Sequence, residues 1–545
     1  MTLLEVNNLV VKFIQKDKQF TAVKKLNFSI KQGEILGLIG ESGSGKSVTS
    51  QSITKLIRNA SYEGSISYFY NKNNSVDLLN TTTKQLEDIR KNEISYIFQE
   101  PMTALNPLLT IGYQILESSP TKDDETLEKL LKKVELNNAK HIKKCYPHEL
   151  SGGQRQRIMI AMALAKQPKL LIADEPTTAL DIAIQHEILT LLKKLSTQEK
   201  IGILFITHDL ISLKNFATNI AVMYKGTIVE QNKGAEILNF PNHPYTKALL
   251  ESRASYLKKG TVLHEISDLL HEQNDEFVYT SPSLKKLDVG KPNSDSHLTI
   301  NNVGKYHTKR KLFSQVKTQV LDEITIHINQ GDIVGLIGES GSGKSTLAKI
   351  IIRLWKETNG TILLKNKNID DIPDLSKEIQ FVFQDPFSSL NPKHTIGKAI
   401  SEVYMVSGKC NKFEAKEKTI NLLEIVGLTA NDFRKYPHEF SGGQRQRICI
   451  AKALAKEPKF MVLDEAVSAL DVSVQAKILN LLNRLKTQKD LTYLLISHDM
   501  NVVSYFCTKI VVLKNGKIIE AGDAETLIKN PKSSYTKRLL GSSIH

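Results

Sequence analysis

The sequence predicts an α/β fold built twice in tandem. Three observations predict it. The eleven residues GLIGESGSGKS stand at 37–47 and again at 335–345. Each copy follows an apolar, strand-like run, EILGLIG or DIVGLIG, and the second leads into Leu347, Ile350, Ile351, Leu354 and Trp355 at helix spacing. A further series of motifs then returns at one spacing of 290 residues. A Gly-rich loop that joins a strand to a helix is the setting a phosphate cradle needs.

The first loop, Gly40, Glu41, Ser42, Gly43, Ser44, Gly45, Lys46 and Ser47, fits G-x-x-x-x-G-K-[ST]. So does the second, Gly338, Glu339, Ser340, Gly341, Ser342, Gly343, Lys344 and Ser345. Glycines let consecutive backbone N–H groups turn inward as an anion nest, and the following helix adds its positive end. Lys46 or Lys344 is then placed to reach the outer phosphates, and the Ser47 or Ser345 hydroxyl to ligate Mg²⁺. The plainer reading, a merely tight strand-to-helix turn, has to hold twice in equivalent contexts.

After each loop the repeat continues. IFQEP with LNP, from Gln99 to Pro107, returns as VFQDP with LNP, from Gln384 to Pro392. YPHELSGGQRQR returns as YPHEFSGGQRQR, LLIADE as FMVLDE, ITHD as ISHD and YTKALL as YTKRLL. The first half carries 13 more residues than the second between loop and glutamine, around SYFYNKNNSVDLLNTTTKQ, which reads as a polar surface insertion. Domains of 1–252 and 297–545 result, with 253–296 a linker that holds one short helix at TVLHEISDLLHE.

Apolar runs before Asp174 and Asp464 read as buried parallel strands, and ligands of open α/β sheets sit at the carboxyl ends of such strands. A carboxylate there can hold Mg²⁺ through water, and the next residue, Glu175 or Glu465, can orient or deprotonate a water attacking a γ-phosphate.

Composition sets limits on function. The 545 residues are 41% apolar and 24% charged, ordinary for a globular protein. No apolar run reaches the roughly 18–20 residues of a membrane span, and the start lacks a signal peptide's pattern, so a cytoplasmic protein is expected. The net charge of +15 comes from dispersed lysines, which argues against a nucleic-acid surface. The four cysteines form no C-x-x-C pair and read as reduced structural thiols.

Phosphate loop, glutamine, SGGQ, Asp-Glu and His, in this order in both halves, make the sequence resemble a twin ATP-binding-cassette (ABC) ATPase. The resemblance implies an α/β fold of two tandem ABC-type P-loop NTPase domains, each with a helical subdomain inserted between the glutamine and SGGQ. It also implies two composite ATP sites formed between the cassettes. It makes Gln99 and Gln384 sensors of Mg²⁺ and attacking water, and His208 and His498 partners of the γ-phosphate. Ser151 with Gly153, and Ser441 with Gly443, become contacts to the other cassette's ATP, although a serine before a helix is ordinarily its N-cap. Phe13 and Tyr306 sit where the family stacks an aromatic on adenine, although an aromatic in a strand is more often core.

QEPMTALNP, QDPFSSLNP, DEPTTALD, DEAVSALD and NHPYTKALL resemble the fused ATPase of bacterial peptide importers, of the oligopeptide/dipeptide and microcin C uptake type. That resemblance implies a peripheral protein on the cytoplasmic face of the bacterial inner membrane. Its partners are two integral permeases, docked on the segments after Gln99 and Gln384, and an extracytoplasmic solute-binding protein. Many relatives carry a Cys-rich extension after HPYT; none follows here, so no iron–sulfur cluster is expected. The alternative is a soluble twin-cassette factor acting on ribosomes or nucleic acid. Such factors carry a long charged helical linker and an Arg after the His-Asp pair, where this chain has Leu210 and Met500.

Overall fold

The computed structural model describes residues 1–15, 18–99, 104–178, 180–253, 259–273, 276–281, 285–286, 295–311, 314–406, 410–468 and 470–541. The chain divides into two compact units. One comprises Met1–Leu180, Ile184–Leu250 and Ile266–Ser281; the other comprises Asp181–Ala183, Glu251–Glu265 and Pro282–His545.

Each unit holds a six-stranded sheet. In the first the order is Thr227–Lys233, Asn219–Tyr224, Ile35–Ile39, Gly202–Thr207, Leu170–Asp174 and Ile94–Ile97. All neighbours are parallel except the first pair, which is antiparallel. The second unit repeats this order with Lys517–Asp523, Lys509–Lys514, Ile333–Ile337, Thr492–Ile496, Phe460–Asp464 and Ile379–Val382. Strands Ile35–Ile39, Leu170–Asp174 and Gly202–Thr207 are buried along their whole length, which explains their continuous apolar runs. A four-stranded antiparallel sheet completes each unit, built on Thr2–Gln15 with Lys18–Lys31 and on Ser296–Lys311 with Ser314–Asn329.

The helical insertions lie between glutamine and SGGQ. They are Ile111–Ser118, Asp124–Lys133 and Ala139–Ile142 in one unit, and Ile396–Val406 and Lys412–Ile425 in the other. Their starts are written in the sequence. The Asp123 carboxylate accepts from Thr126 N–H, and Asn411 with Glu414 forms a complete capping box. Leu127, Leu130 and Leu131 then share one apolar cluster with Ile158 and Met159 of the helix after SGGQ.

One expectation is sharpened and one corrected. The 13-residue surplus lies mostly at the surface, with residues 71–75 exposed at the tip of a hairpin and most of the helix Thr83–Asn92 exposed. It lengthens Ala60–Asn71, against Asn359–Leu364 in the second unit, and the helix Thr83–Asn92, against Leu375–Glu378. Tyr68 in that stretch is fully buried, its hydroxyl donating to Glu93 Oε2 at 2.7 Å. The helix at TVLHEISDLLHE shrinks to one turn, Ile266–Leu269, after which Leu270–Gln273 pairs antiparallel with Glu276–Tyr279. Leu270, Phe277 and Tyr279 share one face of that hairpin, and Leu270 and Tyr279 pack on the first unit's core; this alternation outcompetes helix spacing.

Candidate functional site

Both Gly-rich loops form as a strand, a tight loop and a helix, with the helices at Lys46–Ile53 and Lys344–Ile351. Gly45 (φ 104°) and Gly343 (φ 108°) stand in the left-handed region at the helix starts, where a side chain would be strained. A Cβ on Gly40 would lie 2.2 Å from the Met223 carbonyl oxygen, and one on Gly338 2.1 Å from that of Leu513. Glycine is therefore required there by close approach. Lys46 Nζ donates to the Gly40 and Glu41 carbonyls at 2.7 and 2.8 Å, and Lys344 Nζ to those of Gly338 and Glu339 at 2.6 and 2.9 Å. Ser42, Gly43, Ser340 and Gly341 form the exposed crowns of the loops. Ser44 and Ser342, by contrast, are buried, and neither Oγ has a hydrogen-bond partner in the described structure. Buried orphan hydroxyls in an amide-lined loop suit an oxyanion ligand.

Asp174 and Asp464 end the buried strands beside these loops. Ser47 Oγ donates to Asp174 Oδ1 at 3.3 Å, and Tyr96 Oη to Asp174 Oδ2 at 2.8 Å. Tyr96 Oη in turn lies 2.9 Å from Ser50 Oγ. Burial pushes the Asp174 carboxyl above its ordinary range, against the pull of these hydroxyls. In the second unit burial, and then the charge of Glu465, push Asp464 up to about 6, while Lys344, Lys349 and a hydrogen bond from Ser345 pull the other way.

Next to each aspartate stands a glutamate in an uncommon backbone conformation, Glu175 at φ 47° and Glu465 at φ 48°. A left-handed non-glycine residue costs on the order of 1–3 kcal/mol, and such strain gathers at functional sites. Three groups converge on Glu175 Oε2: Gln99 Nε2 at 2.9 Å, Thr178 Oγ1 at 3.0 Å and His208 Nδ1 at 3.4 Å. Glu465 meets Gln384 Nε2 at 2.6 Å, Ser468 Oγ at 3.4 Å and His498 Nδ1 at 3.4 Å. Burial alone would raise the Glu175 carboxyl, but His208, Lys46 and Thr178 together hold it at about 2. The same balance lowers Glu465. Burial would depress His208 and His498, yet the glutamates keep both raised.

The other expected residues have strong local roles. Ser151 and Ser441 are exposed N-caps of the helices Gly152–Leu164 and Gly442–Leu454, each in a reciprocal box with Gln154 or Gln444. A Cβ on Gly153 would lie 2.6 Å from Ile184 Cγ2, and one on Gly443 2.0 Å from Val474 Cγ1, so helix packing already requires both glycines. Phe13 is half-buried against the first antiparallel sheet. Tyr306 is not its counterpart. Phe13 pairs with Phe20 and Val11 with Val23, while His307 pairs with Thr318, Tyr306 with Gln319 and Lys305 with Leu321. The ladder thus puts His307 in Phe13's place, packed edge-on to Trp355 at 5.2 Å, and turns Tyr306 to the opposite face. In the segments expected to dock permeases, residues 100–103 lie outside the described residues, and Asp385 caps its own turn, accepting from Phe387 N–H at 2.8 Å and Ser388 N–H at 3.2 Å.

Sequence reasoning missed Tyr96 and Ser50, which no motif marked. It also passed over Thr178 and Ser468, although both stand in the quoted DEPTTALD and DEAVSALD stretches at the common spacing of 290.

The family model described as ABC transporter matches residues 23–178 and 321–468. The chain belongs to the ABC transporter family. A second model, the C-terminal region of oligopeptide/dipeptide transporters, matches residues 229–274 of this ABC protein. It is 39% identical to the glutathione import ATP-binding protein GsiA of Escherichia coli O157:H7, over 99% of this chain and 89% of that one. The same figures hold for GsiA of Escherichia coli strain K12 and of Shigella flexneri. The solved structure of cbiO1 from Clostridium perfringens is 28% identical with a TM-score of 0.39, covering 44% of this chain and 92% of that one. This ABC protein is a twin-cassette ATPase that binds ATP and works with membrane permease partners. Among its described residues no helix is long and apolar enough to cross a membrane.

Proposed function

We propose that this ATPase powers uptake of small peptides or peptide-like solutes. It does so from the cytoplasmic face of a bacterial plasma membrane, through two integral permeases served by an extracytoplasmic solute-binding protein. The observation that carries the reading is the oligopeptide/dipeptide transporter region at 229–274, added to two cassettes. The glutathione import proteins act on a tripeptide and support the same substrate class. Exposed Leu108, Tyr113 and Phe387 beside the two glutamine segments suit docking of permease helices. No nucleic acid and no iron–sulfur cluster belong to this reading. Cys145, Cys449 and Cys507 are buried in apolar cores, and burial pushes the last two thiols up to about 12.

The donors beside the loops suit Mg²⁺: one hydroxyl, one carboxylate and one amide carbonyl, all hard oxygens. Ser47, Asp174 and Gln99, or Ser345, Asp464 and Gln384, would hold it. When bound, the ion supplies charge neutralisation on the phosphate oxygens. The chain's own groups do the rest. Amides of the loop and Lys46 or Lys344 bind the phosphates, exchanging Lys bonds to loop carbonyls for bonds to the ligand. Glu175 or Glu465, ionised at neutral pH, takes the proton of the attacking water while Gln99 or Gln384 orients it. His208 or His498, whose Nδ1 lies 3.4 Å from the glutamate, donates to the γ-phosphate from Nε2.

Affinity isolation from membranes tests this reading. Two integral permeases should come down with the full chain and be lost when Leu108→Glu and Phe387→Glu are combined. Recovery of ribosomal proteins instead would overturn it.

A further inference from the structure

The repeated YTKALL and YTKRLL segments lie outside the nucleotide motifs, yet both reach the phosphate loops. Tyr245 stands in the first turn of the helix Pro244–Glu251 and is fully buried; Tyr535 stands in the first turn of Ser534–Gly541 and is 5% exposed. Tyr245 Oη accepts the Glu41 N–H at 3.2 Å, and Tyr535 Oη accepts the Glu339 N–H at 3.0 Å. Each contact joins residues some two hundred positions apart.

The peptide unit so held is a special one. Its N–H belongs to Glu41 or Glu339, and its carbonyl to Gly40 or Gly338, the group that takes Lys46 or Lys344 Nζ. One peptide plane is thus fixed at both ends, by the phosphate-binding lysine on one side and the phenol on the other. When the lysine moves to a phosphate, the phenol is left to hold the plane. We propose that Tyr245 and Tyr535 are positioning residues for ATP binding, keeping the first peptide of each loop in its binding orientation.

The surroundings of the two phenols differ, which isolates the hydroxyl contact as the shared feature. Tyr245 stacks on Tyr224 (centroids 4.2 Å, 27°), and Tyr224 meets Phe277 of the linker hairpin edge-on at 5.4 Å. In the second cassette Lys514 holds the place of Tyr224, with Nζ 4.7 Å over the Tyr535 ring, and Arg538 lies 5.5 Å from that ring while donating to Glu339 Oε1 at 2.7 Å. Aromatic stacking in one case and cations in the other bring the same oxygen to the same amide.

The test uses the full chain carrying Glu175→Gln and Glu465→Gln, so that bound ATP is not turned over. Lys344→Ala isolates the first loop and Lys46→Ala the second. Tyr245→Phe and Tyr535→Phe should each weaken ATP binding at their own loop about 2- to 10-fold, the worth of one hydrogen bond. In chains that hydrolyse ATP, KM should rise by that factor and kcat should change less. Tyr224→Leu removes the stacked ring but leaves the hydroxyl; it should lower Tm without moving Kd. Unchanged Kd in both phenylalanine variants would overturn the proposal, as would a Tyr224→Leu effect on Kd as large as that of Tyr245→Phe. Should Tyr245→Phe fail to fold, Tyr535→Phe decides the matter in the other cassette.

Discussion

The two cassettes treat their paired carboxylates differently. Around the glutamates they agree: Glu175 and Glu465 share the left-handed backbone, the glutamine amide, the hydroxyl three residues on and the histidine at 3.4 Å. Around the aspartates they part. Tyr96 and Ser50 extend a hydroxyl chain to Asp174, whereas the matching positions in the second cassette are Phe381 and Ala348. The aromatic packing survives without the hydroxyl, with Tyr96 and Phe98 centroids 4.6 Å apart and those of Phe381 and Phe383 4.4 Å apart. The glutamate proposed to meet attacking water has closely similar surroundings in both halves, and the support of its neighbour is free to vary.

The strongest way to break this comparison is at the glutamates. Glu175→Gln and Glu465→Gln should each cut steady-state phosphate release by at least about 100-fold, the usual scale for losing a general base, with ATP binding retained. Near wild-type release from one variant would show that its cassette does not turn over ATP and that the likeness of the two glutamates is only structural.

Next in size is the aspartate difference itself. Tyr96→Phe strips Asp174 of a hydroxyl partner in a buried setting and should cost about 1–3 kcal/mol of stability in nucleotide-free protein, read by denaturant unfolding of the full chain. Phe381→Tyr should instead add a donor to Asp464 and be neutral or stabilising. Equal losses from both changes would erase the distinction.

A smaller contrast lies far from the loops. His297 is buried on the strand position that Leu3 occupies in the first cassette, its Nδ1 2.9 Å from the Thr492 hydroxyl, and burial lowers it to about 4. The unfolded chain binds the proton at the ordinary 6.5, so it holds more protons than the folded one between about pH 4 and 6.5. Stability from this site is therefore present above pH 6.5 and lost as pH falls toward 4. His297→Leu should remove that dependence: Tm of the variant minus that of wild type should be larger at pH 5 than at pH 7.5. A difference independent of pH would contradict it.

How legible this was in the sequence follows from the range of each interaction. Loops, Asp-Glu pairs and helix caps are local, so GESGSGKS, DE and SGGQ announced their strands, turns and helices directly. Tyr96 meets Asp174 across 78 positions and Ser50 meets Tyr96 across 46, and nothing local marks a tyrosine whose hydroxyl happens to reach a carboxylate. Tyr306 was matched to Phe13 because both are aromatic, whereas strand register, set by pairing with the neighbouring strand, gives that place to His307. In the stretch that carries the surplus, Tyr68 and Leu78 are core but hold the places of Leu364 and Ile369 in the second cassette, whereas residues 71–75 between them are polar and exposed, as their composition announces.

The central claim, that the chain binds two ATP molecules, one at each phosphate loop, is tested most directly by counting nucleotide. Equilibrium binding of radiolabelled ATP to the full chain carrying Glu175→Gln and Glu465→Gln should saturate at two per chain, and at one when either Lys46→Ala or Lys344→Ala is added. Saturation at one per chain in the glutamine variant, or a count unmoved by one of the lysine changes, would contradict it.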